Sequence, residues 1–271
     1  MKVFWGGQLV AASKARVDFV DRGLTLGDGL FETIAVRDGR AARLNAHLIR
    51  LRDGADIIGL NVPLGDQELS AALQDVIDAN GISEGILRLT LTRGPAPRGL
   101  LPPVPAQPLM QSSLLITGAA QDETMAKGVN AVIATVTRRN EHSPLSGIKT
   151  IGFLDEILAA REAALRGADE ALLLNSSGNL AEATVANLFP VIDGGTVTPP
   201  VIDGALPGVM RAEVIKVLAA AERTLKPADL AIASEAFLTN SLGIKPLIMV
   251  DGAPIGDGKS GPVTAKAQKI V

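Results

Sequence analysis

The chain has 271 residues, 47% of them hydrophobic, and a net charge of −3. This charge argues against a nucleic-acid partner, which needs a basic face. No stretch reaches the roughly 18 consecutive apolar residues of a membrane helix. The absence of cysteine excludes disulfides and cysteine nucleophiles, and with only two histidines we expect no metal site. Glycines follow the first apolar residues too soon for a signal peptide, so we expect a cytoplasmic protein.

The first part of the sequence predicts a small domain, residues 1–117, in which strands and helices alternate. We expect a hairpin over residues 3–10, a glycine-rich loop without a helix over 21–29, strands over 30–36, 86–92 and 112–117, and helices over 44–60 and 67–80. In the helix over 44–60, apolar residues recur every three or four positions, and Asn45 is the expected N-cap. The small polar residues 118–122 then predict an interdomain linker.

The remaining residues, 123–271, predict a larger domain of mixed strands and helices. We expect strands over 129–137, 171–174, 180–192, 237–239 and 248–250, and helices over 154–166 and from 207 to about 223. Leu154, Ile157 and Leu158 share one apolar face of the helix over 154–166. The proline-rich loop over 93–108 is the candidate for a segment that closes over a site.

Two charged residues stand in surroundings that suggest chemistry. Lys149 lies between an irregular loop and a helix, where desolvation can make a lysine nucleophilic. The alternative is a lysine that reaches from a loop to solvent. Glu182 lies in an apolar strand, where a carboxylate needs a partner such as a protonated ring nitrogen. The alternative for Glu182 is a strand residue that faces the surface.

Two segments could bind an anion such as phosphate. A helix begins after Gly208, so the amides of Val209 and Met210 would point at the anion from the positive end of the helix dipole. Thr239, Asn240 and Ser241 end a strand and could add hydroxyl and amide donors. Ordinary turn formation is the alternative reading of this second segment.

Three arginines are candidate ligands of acidic groups. Arg50, on the helix over 44–60, could clamp a phosphate. Arg93 and Arg98, in the loop over 93–108, could bind substrate carboxylates. For each of them a solvated arginine is the alternative. No dinucleotide-binding glycine motif, phosphate-loop lysine or serine-hydrolase elbow is present.

Taken in order, these segments resemble the fold-type IV pyridoxal phosphate enzymes, which include branched-chain aminotransferase, D-amino-acid aminotransferase and 4-amino-4-deoxychorismate lyase. The matching segments span nearly the whole chain: residues 21–33, 47–51, 148–150, Glu182 with 186–189, and 208–211. The resemblance implies a mixed α/β fold with a small N-terminal α/β domain and a larger C-terminal α/β pseudo-barrel domain. It also implies pyridoxal 5′-phosphate as cofactor and a homodimer.

The resemblance assigns roles to the candidate residues. Lys149 forms the Schiff base with the cofactor and then moves protons at the substrate Cα. Glu182 keeps the ring nitrogen protonated, and Asn187 belongs to the same segment. The phosphate is held by Arg50, the amides of Val209 and Met210, and Thr239, Asn240 and Ser241. The chain departs from the family at Gly152 and Phe153, where many members have Asn followed by Tyr or Arg, and at Met210, where several have Thr.

Within this family the sequence most resembles the lyase branch. The residues concerned are 237–242, Met210 before Arg211, Thr92-Arg93-Gly94, and Arg98-Gly99. The lyase releases pyruvate from 4-amino-4-deoxychorismate and leaves p-aminobenzoate, a reaction of folate biosynthesis. On this hypothesis Lys149 is the base.

Three alternatives stay open. One is an aminotransferase of branched-chain or D-amino acids. Branched-chain enzymes line their pocket with tyrosines, and this chain has none. D-amino-acid enzymes hold the substrate carboxylate with Tyr, Arg and His, at positions that look like Phe31, Arg98 and Leu100 here. The others are a protein that binds the cofactor without turnover, and an α/β binding module that is not an enzyme.

Overall fold

The chain folds into two compact units. The computed structural model describes residues 1–101, 113–120 and 128–270. Met1–Glu123 and Ile148–Gly152 form the first unit, and Thr124–Gly147 and Phe153–Val271 form the second. The division into domains 1–117 and 123–271 stays a proposal. Of the expected linker, residues 118–120 belong to a strand and 121–122 lie outside the described residues, as do residues 102–108 of the expected closing loop.

The first unit is an antiparallel sheet with helices packed on one face. Its strands are β1 (Lys2–Trp5), β2 (Gln8–Ala11), β3 (Gly29–Arg37), β4 (Arg40–Ala41), β5 (Gly85–Thr92) and β6 (Ser113–Ala120), in the order β2-β1-β6-β5-β3-β4. Its α-helices are α1 (Arg22–Leu26), α2 (Leu44–Ile57) and α3 (Asp66–Asn80), and a 3₁₀ turn covers Ala12–Lys14. Apolar residues of α2 and α3 share a core with alternate residues of β3 and β5.

Two expectations for this unit were wrong. Residues 22–26 form a short helix, because the Asp21 side chain accepts a hydrogen bond from the Gly23 amide and caps it, and Gly27 ends it in the left-handed conformation. The N-cap of α2 is Arg43 in the left-handed conformation, and Asn45 lies inside the first turn. Gly23 is required here, since a Cβ would lie 2.2 Å from the Thr92 methyl group.

The second unit is a mixed sheet with α-helices. Its strands are β7 (Val129–Ile133), β8 (Glu170–Leu174), β9 (Leu180–Ala183), β10 (Asn187–Ile192), β11 (Gly195–Thr198), β12 (Ala221–Glu222), β13 (Glu235–Asn240), β14 (Gly243–Val250) and β15 (Ala253–Pro254). Their order is β12-β11-β10-β13-β14-β7-β8-β9, with β15 paired to β14. The helices are α4 (Leu154–Leu165), α5 (Val209–Leu218) and α6 (Pro262–Gln268), with 3₁₀ turns at Pro144–Gly147, Val201–Asp203 and Pro227–Ile232.

Several predicted elements of this unit have different bounds. The strand expected over 180–192 is broken into β9 and β10, because the Ala183 amide bonds the Ala186 carbonyl and closes a local turn. The helix expected to reach about 223 ends at Leu218, where Ala219 adopts the left-handed conformation. β7 ends at Ile133 instead of 137. Helix α6 was not predicted from the sequence.

Helix α4 packs through small residues. Ala159 and Ala163 are buried in a cluster with Ala171 and Leu173 of β8, because a helix can approach a sheet closely only where its side chains are small. The apolar face identified from the sequence is exposed: Leu154 by 76%, Ile157 by 57% and Leu158 by 43%. Among the described residues, no helix is long and apolar enough to cross a membrane.

Candidate active site

Lys149 is fixed by backbone contacts to β3 in the first unit. The Phe31 amide donates to the Lys149 carbonyl at 2.9 Å, and the Ile151 amide donates to the Gly29 carbonyl at 3.1 Å. A Cβ at Gly29 would lie 2.5 Å from the Leu91 carbonyl oxygen of β5, so glycine permits the close approach of β3 and β5 at this point. Lys149 is half-buried, and its Nζ lies 4.3 Å from the centroid of the buried Phe31 ring. The alternative of a lysine that simply extends from a loop into water therefore loses support.

Arg50 belongs to a buried cluster on the helix side of the same sheet. Its Nε and Nη2 donate to the two oxygens of Glu32 at 2.8 and 2.6 Å, and His47 Nδ1 lies 2.7 Å from Glu32 Oε2. Glu32 and His47 are each 1% exposed. The bidentate pair fixes the orientation of the guanidinium. Burial alone would raise the pKa of Glu32, but the hydrogen bonds from His47 and Arg50 hold this pKa below its usual value.

The lowered pKa predicts an acid-sensitive contribution to stability. A carboxylate with a depressed pKa in the folded state stabilises the fold above its unfolded value, 4.5 for Glu32, and this contribution is lost as pH falls below that value. In urea unfolding of the apoprotein between about pH 6 and pH 3, we expect Glu32→Gln to flatten the fall in unfolding free energy. Glu84→Gln, at the exposed pair with Arg37, is the control and should keep the wild-type slope. A Glu32→Gln slope equal to that of the wild type would contradict the assignment.

The other two candidate arginines of this unit differ in their surroundings. Arg93 donates to both oxygens of Asp28 and to the carbonyls of Ile58 and Gly59, so four of its hydrogen bonds hold the loop to the unit. Burial would raise the pKa of Asp28, but its pairs with Arg93 and Arg22 lower this pKa overall. Arg98 is exposed and lines a cavity of about 510 Å³ together with Arg22 and Leu100.

Glu182 lies in the second unit and is buried, so the alternative of a surface-facing residue is wrong. Its Oε2 accepts hydrogen bonds from the Leu206 amide at 3.0 Å and from Asn187 Nδ2 at 3.3 Å. Asn187 Nδ2 also donates to the Leu206 carbonyl at 2.9 Å. The break between β9 and β10 thus brings the two polar residues of this segment together. These two neutral donors hold one oxygen of the carboxylate, Oε2, in place.

Arg139 also contacts Glu182 and was not identified from the sequence. Its Nε lies 3.2 Å from Glu182 Oε1, and its Nη1 donates to Glu156 Oε1 at 3.0 Å. It also donates to the carbonyls of Gly204 and Ser146. Glu156, an acidic residue on the packed side of α4, was the available signal, because a buried carboxylate needs a cation. Arg139 therefore links the glutamate to the loop that precedes Lys149 in the chain.

We expect the loss of Arg139 to destabilise the second unit strongly. Arg139→Gln leaves two carboxylates, each at most 11% exposed, without their cation. Breaking such a buried pair costs roughly 3–5 kcal/mol. Arg166→Gln is the matched control, since Arg166 also pairs with two carboxylates but is 40% exposed, and it should cost about 1 kcal/mol or less. Equal unfolding free energies for the two apoprotein variants in urea would refute the role of Arg139.

The start of α5 lies beside Asn187. A Cβ at Gly208, the N-cap, would lie 2.1 Å from Asn187 Oδ1, so only glycine allows this approach. Within the described residues no side-chain hydrogen bond caps this helix end, and its dipole favours an anion. Asn187 pairs across the sheet with Thr239, whose buried Oγ1 has no hydrogen-bond partner within the described part of the chain. An uncapped helix start and an unsatisfied hydroxyl beside one asparagine fit a phosphate group.

The remaining candidates of this unit lie next to those residues. Met210 is buried against Phe189 and Phe237, so its side chain packs in a core and only its amide is available for an anion. Asn240 donates to the Val185 carbonyl, and Ser241 follows it at the end of β13. Phe153 is the N-cap residue of α4. No group of three His, Asp or Glu side chains suited to a metal ion occurs among the described residues.

Comparison with known proteins identifies the family of the chain. The family model of amino-transferase class IV matches residues 29–247. The chain belongs to the class IV aminotransferase family. The D-alanine aminotransferase of Bacillus licheniformis is 30% identical to it, over 99% of this chain and 95% of the relative.

Two solved structures of similar proteins give the fold. The branched-chain amino acid aminotransferase of Escherichia coli superposes with a TM-score of 0.92 at 28% identity, covering 99% of this chain and 92% of the other. A Legionella pneumophila protein provisionally named 4-amino-4-deoxychorismate lyase has a TM-score of 0.86 at 29% identity, covering 94% of each chain. The expected fold-type IV architecture is confirmed.

The cofactor of class IV aminotransferases is pyridoxal 5′-phosphate, as expected from the sequence. Each unit, taken by itself, has residues that fit this cofactor. The first unit supplies a lysine fixed against β3. The second supplies a buried glutamate, an uncapped helix start and the buried Thr239 hydroxyl. The chain is therefore an enzyme of the family that includes these aminotransferases and the related lyase.

Proposed function

We propose that the protein is an aminotransferase that moves the amino group of a small amino acid to a 2-oxo acid. The observation that carries the proposal is the placement of Lys149, which two backbone hydrogen bonds fix against β3 with its ammonium over Phe31. Relatives that match the chain over almost its full length are named for transamination of D-alanine and of branched-chain amino acids. These names favour the aminotransferase over the lyase that the sequence resemblance placed first.

Lys149 carries the chemistry in this proposal. Pyridoxal 5′-phosphate, when bound, supplies an electron sink for the negative charge that develops at the substrate Cα. Lys149 Nζ is the covalent attachment point, and it then takes and returns the proton at Cα. The rigid backbone pairing matters because a proton-transferring group must stay within hydrogen-bond reach of that proton.

The other predicted cofactor ligands act by binding and orientation. Glu182 pairs with the protonated ring nitrogen, and Asn187 and the Leu206 amide hold the carboxylate in place for it. The phosphate is bound by Arg50, the amides of Val209 and Met210, and Thr239, Asn240 and Ser241. Thr239 has the strongest structural support among these, because its hydroxyl is buried and unsatisfied.

Substrate binding involves Phe31, Arg93 and Arg98 in this proposal. Phe31 contacts the Lys149 ammonium and would form an apolar wall beside the reacting atoms. Arg98 is accessible for a carboxylate, whereas Arg93 acts by fixing the loop that carries Arg98. We also propose the homodimer and the cytoplasmic location that the sequence led us to expect. Light scattering of the purified protein tests the dimer.

The lyase is the second candidate, favoured by the similarity to the Legionella pneumophila protein. In that reaction 4-amino-4-deoxychorismate would lose its side chain as pyruvate and leave p-aminobenzoate. Lys149 would again take the proton at the carbon bearing the amine. The two reactions differ in their second half, since only the aminotransferase needs a 2-oxo acid acceptor.

A paired assay separates the candidates. Branched-chain L-amino acids and D-alanine are each supplied with 2-oxoglutarate or pyruvate, and the new amino acid is quantified. In parallel, 4-amino-4-deoxychorismate generated in place by its synthase is supplied, and p-aminobenzoate fluorescence is followed. We expect amino transfer with at least one donor and no p-aminobenzoate. The reverse result would establish the lyase. The absence of both products with a yellow, folded protein would indicate binding of the cofactor without turnover.

A further inference from the structure

Arg88 lies on the face of the first unit's sheet that is opposite to the buried cluster of Arg50. In the antiparallel register of β3 and β5, Arg88 is opposite Thr33, and Thr90 is opposite Phe31. Alternate residues of a strand point to the same face of the sheet, so Arg88 and Phe31 lie on one face as diagonal neighbours. Leu30 and Ile34 point to the other face, into the core with α2. Arg88 therefore stands beside Phe31 and away from the helices.

The guanidinium of Arg88 and the ammonium of Lys149 meet at one aromatic ring. The guanidinium carbon lies 3.3 Å from the Phe31 centroid, and Lys149 Nζ lies 4.3 Å from the same point. The two cationic groups cannot be farther apart than the sum of these distances. In an amino acid the amino nitrogen and the carboxylate carbon are about 2.5 Å apart. A substrate amine that reaches Lys149 thus brings its carboxylate within range of Arg88.

Arg88 also differs from the arginines that have structural partners. Arg22, Arg50 and Arg93 each contact a carboxylate in this unit. In the described part of the chain, Arg88 has no carboxylate within 4.0 Å, and its one side-chain hydrogen bond is a 3.5 Å contact to the Thr33 hydroxyl. The residue is exposed. An accessible guanidinium on an aromatic face keeps its paired N–H groups available for a bidentate carboxylate.

We propose that Arg88 binds the α-carboxylate of the amino substrate, with Phe31 as the platform that orients the guanidinium. This inference rests on the proposed function, because it takes Lys149 as the point where the substrate amine reacts. It assigns to Arg88 a role that the sequence pattern had given to Arg93, whose donors are used by Asp28 and two carbonyls. The expected ligands are 2-amino acids and the matching 2-oxo acids, which share this carboxylate.

The test compares a carboxylate with its amide. Binding of 4-methylvalerate and of 4-methylvaleramide to the holoprotein is measured by titration calorimetry, for the wild type, Arg88→Gln, Arg88→Lys and Arg40→Gln. We expect Arg88→Gln to weaken binding of the carboxylate roughly ten- to hundredfold, the loss of a charge-assisted hydrogen bond, and to leave the amide unchanged. The affinity of Arg88→Lys for the carboxylate should lie between those of the wild type and Arg88→Gln, because a lysine keeps the charge but lacks the paired N–H donors of the guanidinium. Arg40→Gln, the same charge change at an exposed residue of β4, should match the wild type.

Three results would overturn the inference: no binding of the carboxylate by the wild type, wild-type affinity in Arg88→Gln, or an equal loss for the amide. Failure of the proposed function looks different. It shows as absence of amino transfer by the wild type, whatever the calorimetry gives. Failure of the Arg88 assignment alone leaves amino transfer intact and the carboxylate affinity insensitive to residue 88.

Discussion

We expect Lys149→Ala to lose turnover by at least about a thousandfold, because one side chain supplies both the attachment of the cofactor and the proton transfer at Cα. The protein should also lose the visible absorption that the cofactor shows when a lysine binds it. Lys149 is half-buried, and the two hydrogen bonds that hold its segment against β3 are made by the backbone, which the substitution keeps. The fold should therefore survive, which circular dichroism will verify.

The control for this variant is Lys259→Ala, at an exposed lysine of the second unit. It should remain yellow and active. Borohydride reduction of the wild type, followed by peptide mass analysis, should place the cofactor on the peptide that contains Lys149. A cofactor adduct on another lysine, or an active Lys149→Ala protein, would disprove the assignment.

The second large effect is expected for Glu182→Gln, with turnover lowered roughly 10²- to 10³-fold, the range seen when one preorganised electrostatic contact is removed. A neutral amide cannot keep the ring nitrogen protonated, so the cofactor becomes a weaker electron sink. Gln preserves the shape of the side chain, and its oxygen can still accept from the Leu206 amide. Turnover and the absorption spectrum across pH are the measurements.

Glu156→Gln is the matched control, because Glu156 pairs with the other side of Arg139 and is given no role toward the cofactor. Both variants remove one carboxylate from the same arginine. If the loss of turnover came from the disturbed arginine alone, the two variants would be equally impaired and would show the same spectra. We expect Glu156→Gln to retain most of the activity and the wild-type spectrum.

Periodicity predicted the elements whose residues alternate between core and solvent. β3, β5, α2 and α3 all lie within a few residues of their expected bounds, because their apolar residues face one common core. The wrong predictions occur where a single local contact determines the backbone conformation. Asp21 caps a helix in a glycine-rich stretch, and the Ala183 amide closes a turn inside an apolar run. Such contacts leave no periodic signal in the sequence.

The family resemblance proposed candidate site residues but not the contacts that hold them. Lys149, Arg50 and Glu182 stand at motif positions, so their order along the chain was sufficient to propose them. Arg139 and Arg88 were missed because their importance comes from neighbours distant in sequence, Glu182 across the second unit and Phe31 across a strand pair. The sequence also did not indicate that Arg93 anchors its loop, since its partner Asp28 lies 65 residues away.

The preference for the aminotransferase over the lyase has a physical reason in addition to the names of the similar proteins. The missing tyrosines argued against both aminotransferase branches, because a phenol can hold a carboxylate. Arg88 on the Phe31 ring offers a cation for that carboxylate in place of a phenol. An aminotransferase without tyrosine is therefore chemically coherent in this chain.

The most direct test of the account is a single turnover without acceptor. The yellow holoprotein is mixed with a branched-chain L-amino acid or D-alanine, and the visible absorption and the released 2-oxo acid are measured together. An aminotransferase should bleach and release one equivalent of 2-oxo acid per site, and an added 2-oxo acid should restore the colour. A protein that keeps its colour with every amino donor, or bleaches without releasing a 2-oxo acid, would contradict the proposed function.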